Sequence, residues 1–358
     1  MEKTPYKIDG HGHLVPYPHE IPTFMKEKEV FWVDDSMQFM HQGKWKRPVT
    51  HGSFFLEQKL EWLEESNIQH EVILNLSQLY CNGFERSLAR DVIQFQNDFN
   101  ASTQSAHPSK FTCGFVIQPL FIDDALKEID RCVNQLGLSL VCMPTHYLNS
   151  DGEWKTTADP DLEPIYDYIN ELGLALQIHP YDGEKIIGLK NELWRFHLIW
   201  MCAQTADHFH FFSSHNFPEK YPNIRTCYAH GNQFGQMNVG RRKQGYYGRP
   251  DLFEGTVAPE KNIQSRNVFF DTLVHDVYSF RLLVDRQTST QVIAGIDDPY
   301  PLGEMASAEG SYPGKVIDDA FALGFIKEDE YQNIWYENVL DWLAGEDQMK
   351  IKSRLKIN

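Results

Sequence analysis

KIDGHGHLVP, residues 7–16, closes a short apolar run with two histidines, His11 and His13, separated by a single glycine. On a β-strand, side chains at i and i+2 share a face, so both imidazoles can reach one ion; on a helix the same spacing turns them away from each other. Whether this is a metal-binding strand end or a pair of loop histidines depends on what the rest of the chain delivers to the same point.

Working outward, runs of strand character recur at 6–13, 71–77, 111–119, 138–146, 174–180, 224–231, 268–274 and 290–298. Between them lie segments such as FLEQKLEWLEESN (55–67), DDALKEIDRCVNQLG (123–137), LEPIYDYINELG (162–173) and VYSFRLLVDRQ (277–287). Their apolar residues fall at the three- and four-residue intervals of a helix. Strand and helix alternating in this way predict a (β/α)₈ barrel, with a doubly wound open sheet as the alternative. A single domain spanning 1–358 is expected. Two stretches interrupt the repeat: an aromatic- and proline-rich insertion at 14–52 after the first strand, and 231–266 after the sixth. The second shows little periodicity and reads as a loop region at the active site or an interface. Both follow strand C-terminal ends, where barrel enzymes build their sites.

With 358 residues, 42% hydrophobic and 13% aromatic, the chain can bury a core of that size. A formal charge of -17 argues against nucleic acid or an anionic membrane surface as a partner. No run approaches the roughly 18 apolar residues of a membrane span, and MEKTPYKIDG lacks the apolar core of a signal peptide, so a cytoplasmic protein is expected. Cys81, Cys113, Cys132, Cys142, Cys202 and Cys227 form no CxxC pair and read as reduced core residues. The basic ending MKIKSRLKIN (349–358) reads as a solvated helix end.

The polar residues at the strand ends form a set. His11 and His13 close strand one, His179 closes strand five (LALQIHP), His230 closes strand six (TCYAHG) and Asp297 closes strand eight (VIAGIDD). In a parallel barrel these ends open on one mouth. Three imidazoles and a carboxylate suit zinc, with manganese or another divalent ion as alternatives, and such an ion lowers the pKa of a bound water to about 7. The chain carries its own control: His208 and His210 in QTADHFHFF share the spacing but lie in a helical pattern, where they diverge, and they read as structural or surface residues. Asp298 points away from Asp297 along the strand and reads as a supporting residue.

The pattern IDGHGH, IHPYD, AHG and GIDDPYPLGE, with RPV (47–49), LWRFHLIWMCAQTA (193–206), EKYPNIRTCYAHG (219–231), GRPDL (248–252) and DTLVHD (271–276), resembles the amidohydrolase superfamily. Within it, the chain is similar to the decarboxylases of the 2-amino-3-carboxymuconate-6-semialdehyde type. The resemblance implies an amidohydrolase-type TIM barrel and a zinc-dependent carboxy-lyase. Its substrate would be an unsaturated dicarboxylate, 2-amino-3-carboxymuconate-6-semialdehyde of tryptophan catabolism, with release of CO₂. A hydroxybenzoate-type decarboxylase and a metal-dependent hydrolase are the alternatives. By the same resemblance His11, His13, His179 and Asp297 are metal ligands, and His230 is the catalytic base. Asp297 is also catalytic in relatives acting on aromatic acids. Arg47 and Arg241 (NVGRRK) hold substrate carboxylates, Arg241 from the neighbouring subunit of a homodimer, with Arg242 a competing candidate; a guanidinium fork suits this task. The chain departs from the family at Tyr181, at Asn232 and Gln233, and at His197, which stands where the family has a gating tryptophan, with Trp194 three residues earlier. Trp194 and His197 are therefore candidate substrate contacts. These departures bear on the substrate and leave the ligand set whole.

Overall fold

The computed structural model describes residues 6–49, 52–305, 310–343, 349, 352 and 353. Eight strands, β1 (Ile8–His13), β2 (His70–Leu74), β3 (Phe111–Val116), β4 (Leu140–Pro144), β5 (Ala175–His179), β6 (Arg225–Tyr228), β7 (Val268–Asp271) and β8 (Val292–Ile293), follow one another in spatial order. Each pairs in parallel with the next. The ring closes between β8 and β1: Gly10 N–H donates to Ala294 O at 2.9 Å, Asp297 N–H to His11 O at 2.6 Å and His13 N–H to Asp298 O at 2.7 Å. This closure excludes the open sheet and makes the fold a (β/α)₈ barrel. Strands covered on both faces read as unbroken apolar runs, as in LVCMP of β4, because no face meets water.

The outer helices are α1 (Leu56–Glu65), α2 (Arg86–Ala106), α3 (Ile122–Arg131), α4 (Glu163–Leu172), α5 (Met201–Ser214), α6 (Gln233–Gly248) and α7 (Val277–Gln287). Their limits follow local chemistry. α4 has a proline in its first turn and stops at Gly173, whose φ of +61° is a left-handed cap. α7 starts at Asp276, whose carboxylate accepts the N–H groups of Tyr278 and Ser279 at 2.9 and 3.0 Å. Ile165, Tyr166 and Ile169 of α4 lie one face apart and enter the layer between helices and barrel. After β8 come α8 (Lys315–Ala322), α9 (Glu328–Trp335) and α10 (Glu337–Leu343). Val339, Leu340 and Trp342 of α10 join Ile8, Leu140 and Ala175 at the strand N-terminal ends, so α10 stoppers the barrel opposite its mouth.

The insertion at 14–52 folds into a short helix, Thr23–Glu27, and an antiparallel sheet of Trp32–Val33, Phe39–Gln42 and Trp45–Pro48. Met25, Phe31 and Met40 pack it onto Leu79, Tyr80 and Tyr300. The stretch 231–266 differs from its sequence reading: residues 233–248 form α6, the regular helix after β6. Its buried positions are Gly235, Gln236, Val239 and Arg242, so small and polar residues face inward and the hydrophobic period that would announce a helix is silent. A hairpin, His146–Leu148 with Trp154–Thr156, and the short helical turns of 183–200 also stand above β4 and β5. The six cysteines are free, five of them buried. Among the described residues no helix is long and apolar enough to cross a membrane. Residues 1–5 and, in the basic tail, 350, 351 and 354–358 lie outside the described residues.

Candidate metal centre

Both histidines of the opening motif are buried at the end of β1, with their Nε2 atoms 3.3 Å apart. His179 ends β5, its ring centre 5.3 Å from that of His11 and 5.7 Å from that of His13. Asp297 lies beyond the end of β8 with φ of +59°. That left-handed turn brings its Oδ1 to 3.2 Å from His13 Nε2 and 3.6 Å from His11 Nε2. The chain then folds back: Tyr300 N–H donates to Asp297 O at 3.0 Å and Glu304 N–H to Ile296 O at 2.8 Å. A Cβ on Gly303 would stand 2.6 Å from Asp297 O, so only glycine lets the returning chain this close.

His230 sits past the end of β6 in a left-handed run with Gly231 and Asn232. Asp271, the last residue of β7, holds this run: its carboxylate accepts the N–H groups of His230 at 3.0 Å and Gly231 at 2.9 Å. The same carboxylate lies 2.7 Å from His11 Nδ1. Asp271 was not singled out from the sequence, although it closes a strand as the ligands do; a carboxylate ending NVFFD was the available signal.

The partners of the Nδ1 atoms fix the tautomers. His11 Nδ1 faces Asp271, His13 Nδ1 faces Leu74 O at 3.3 Å and His179 Nδ1 faces Pro180 O at 2.9 Å. Each oxygen accepts, so each Nδ1 carries the proton and each Nε2 is left with a lone pair aimed inward. Lone pairs 3.3 Å apart repel unless a cation lies between them, and His179 Nε2 is buried with no hydrogen-bond partner. The donor set therefore fits a divalent ion. Burial pushes His179 well below the usual histidine range, reinforced by the charges of His230, His11 and His13. Burial likewise pushes His230 down to about 4, against the pull of Asp297 and Asp271. For His11 burial is outweighed by the Asp271 hydrogen bond and the Asp297 charge, and its pKa rises. The field that draws a proton to its Nε2 draws a cation there too. Burial also opposes ionisation of Asp297, yet the neighbouring imidazoles, His13 foremost, hold it well below the ordinary carboxylate range.

A cavity of about 810 Å³ opens above these residues, walled by Arg47, Gln78, Tyr181, His197, His275 and Tyr300. Arg47 lies 4.5 Å from the Tyr300 ring centre, and among the described residues it has no ion-pair partner. Tyr181 donates to Gln42 at 3.0 Å and so ties the insertion sheet to the end of β5. Of the two candidate substrate contacts, His197 is on the wall, while Trp194 packs behind it at 4.9 Å. Arg241 is exposed on α6 and lines a separate surface groove, away from its own chain's cavity. Arg242 is buried, donating to His210 Nδ1 at 3.0 Å and to Ser213, which removes it as a substrate ligand. His208 is buried against Tyr228. Asn232 lies under Gly235 and belongs to the turn, while Gln233 donates to Val274 O at 2.8 Å and also lines the cavity.

Residues 8–310 match the Amidohydrolase family. The chain belongs to that family. A 2-amino-3-carboxymuconate-6-semialdehyde decarboxylase of Dictyostelium discoideum is 26% identical to this amidohydrolase over 94% of the chain and 91% of its own length. The 5-carboxyvanillate decarboxylase of Sphingomonas paucimobilis superposes with a TM-score of 0.73 at 18% identity, over 95% of this chain and 99% of that one. A dihydroxybenzoic acid decarboxylase from a Polaromonas species, solved with manganese and 2-nitroresorcinol, gives 0.72 at 12% identity over 96% and 99%.

Proposed function

We propose that this amidohydrolase is a divalent-metal-dependent, non-oxidative decarboxylase of an unsaturated carboxylic acid of the 2-amino-3-carboxymuconate-6-semialdehyde type. One observation carries the reading: Arg47, a guanidinium with no carboxylate partner among the described residues, lines the same cavity as His179 and Asp297 of the candidate metal centre. In a chain with 50 acidic residues against 33 basic ones, a free arginine in a cavity is kept for an acid from outside. His11, His13, His179 and Asp297 would hold the ion, zinc or manganese, which supplies positive charge and Lewis acidity toward an oxygen of substrate or water. Arg47 binds one carboxylate and so fixes which carbon lies over the floor. The rings of Tyr181, Phe196 and Tyr300 pack the conjugated chain and exclude water. The bond between carbon and carboxylate then breaks, CO₂ leaves, and the electron pair remaining on carbon takes up a proton. His230 is placed to relay that proton from water to carbon: burial favours its neutral, proton-accepting form, and its Nε2 lies 3.9 Å from Asp297 Oδ2. In the same reading a homodimer brings Arg241 to the neighbouring site, since it faces away from its own.

A hydroxybenzoate-type acid is the second reading, favoured by the same aromatic wall. Incubation with the muconate semialdehyde and with a panel of hydroxybenzoates, following CO₂ and bound metal together, separates the two. Release from the semialdehyde alone is expected. Release from the aromatic acids alone would move the assignment to the second reading, and hydrolysis of lactones or amides without CO₂ would overturn both.

A further inference from the structure

Four elements meet where the barrel closes. Lys59 of α1 is fully buried, its Nζ 3.0 Å from Glu71 Oε1 on β2 and bonded to the Asp298 carboxylate. Ser53, just past the insertion, donates to the other Asp298 oxygen at 2.6 Å. The backbone of Asp298 is held as well: its carbonyl accepts His13 N–H at 2.7 Å and lies 3.5 Å from Lys59 Nζ. Glu71 presses so close to β1 that a Cβ on Gly12 would stand 1.8 Å from its Oε1. The glycine between the two motif histidines therefore leaves the space that this ion pair fills.

Stability alone is a poor account of such a group, because well-packed apolar residues often replace a buried ion pair without loss. Its geometry is more informative. Asp298 follows Asp297, whose positive φ must be imposed by its surroundings, and it bonds across to His13 on β1. We infer that Lys59 is a positioning residue: through Glu71, Asp298 and Ser53 it locks the seam between β1 and β8, and so sets the Asp297 carboxylate at its distance from His11 and His13. This inference rests on the metal reading above.

The test uses the ion-stripped full chain titrated with Mn²⁺, free ion being read by paramagnetic resonance, with the melting temperature of the ion-free protein measured beside it. K59M alone strands two buried carboxylates, so the charge-free set K59M/E71Q/D298N is used together with S53A, which removes the hydroxyl that bonds Asp298. Wild type should bind one Mn²⁺ per chain. S53A should bind about 3-fold more weakly, and the charge-free set on the order of 30-fold more weakly, with melting temperatures close to wild type. Affinity unchanged in both variants, with wild type binding normally, overturns the positioning role and leaves the metal reading intact. If the charge-free set does not fold, unchanged affinity in S53A overturns it. A wild-type chain that takes up no Mn²⁺ sinks the metal reading and this inference with it.

Discussion

Two pairs of histidines share one spacing and end in opposite situations. His11 and His13 lie on a strand, and their Nε2 atoms converge to 3.3 Å at the barrel mouth. His208 and His210 lie on α5, where one ring packs against Tyr228 and the other accepts from Arg242. The side chains are the same; the backbone period decides whether they meet. A motif of two histidines therefore has chemical meaning only once its secondary structure is known, and most of that meaning comes from what other strands bring to the same point.

The comparison is broken most severely by removing one member of each pair. H13A, like H179A, should lose bound metal and activity together, while H210A keeps both; elemental analysis and CO₂ release decide. Equal metal content in H13A and wild type would show that the strand pair is not a ligand pair.

Next in size is His230, which borders the cluster and whose proposed work is on a proton. H230A should keep its ion and lose about 10²-fold or more in kcat. Metal loss matching that of H179A would make it a ligand instead.

A subtler probe acts through Asp271. D271N should weaken ion binding about 10- to 100-fold at neutral pH, since the His11 ring loses its charged anchor. The sign of the pH effect separates this from general damage. The Asp271 bond raises the pKa of His11, so in wild type a proton competes with the ion as pH falls through that raised value, and affinity is regained above it. In D271N the acid-side loss should move to lower pH. A titration whose midpoint does not move would show that Asp271 does not govern that proton.

The smallest effect belongs to the helical pair. H208A removes a buried ring and its bond to Tyr228, and should cost about 1–3 kcal/mol in chemical denaturation with metal affinity unchanged. A change in metal affinity here would mean that the two pairs are not independent.

The contrast also explains what could be read from the sequence. Strands buried on both faces leave continuous apolar runs, so the barrel and its mouth were legible, as were the residues that end strands: His11, His13, His179 and, just beyond the strands themselves, His230 and Asp297. The helix α6 was not, because glycine, glutamine and arginine face its neighbours and no apolar stripe marks it. Asp271 and the Lys59–Glu71–Asp298 group were missed for another reason. Their roles lie in hydrogen bonds between segments far apart in the chain, such as Lys59 to Asp298, which no local pattern records. Trp194 shows the limit in the opposite direction: the resemblance made it a candidate substrate contact, and the fold sets it behind the wall, against His197.

The central claim, that strand-end residues of a closed barrel form one metal centre, is tested most directly by anomalous diffraction from crystals of the protein loaded with Mn²⁺ or Zn²⁺. The account predicts one strong peak per chain at the mouth, about 2.0–2.2 Å from Nε2 of His11, His13 and His179 and from an oxygen of Asp297. No peak there, or a peak at the helical pair His208 and His210, would contradict it.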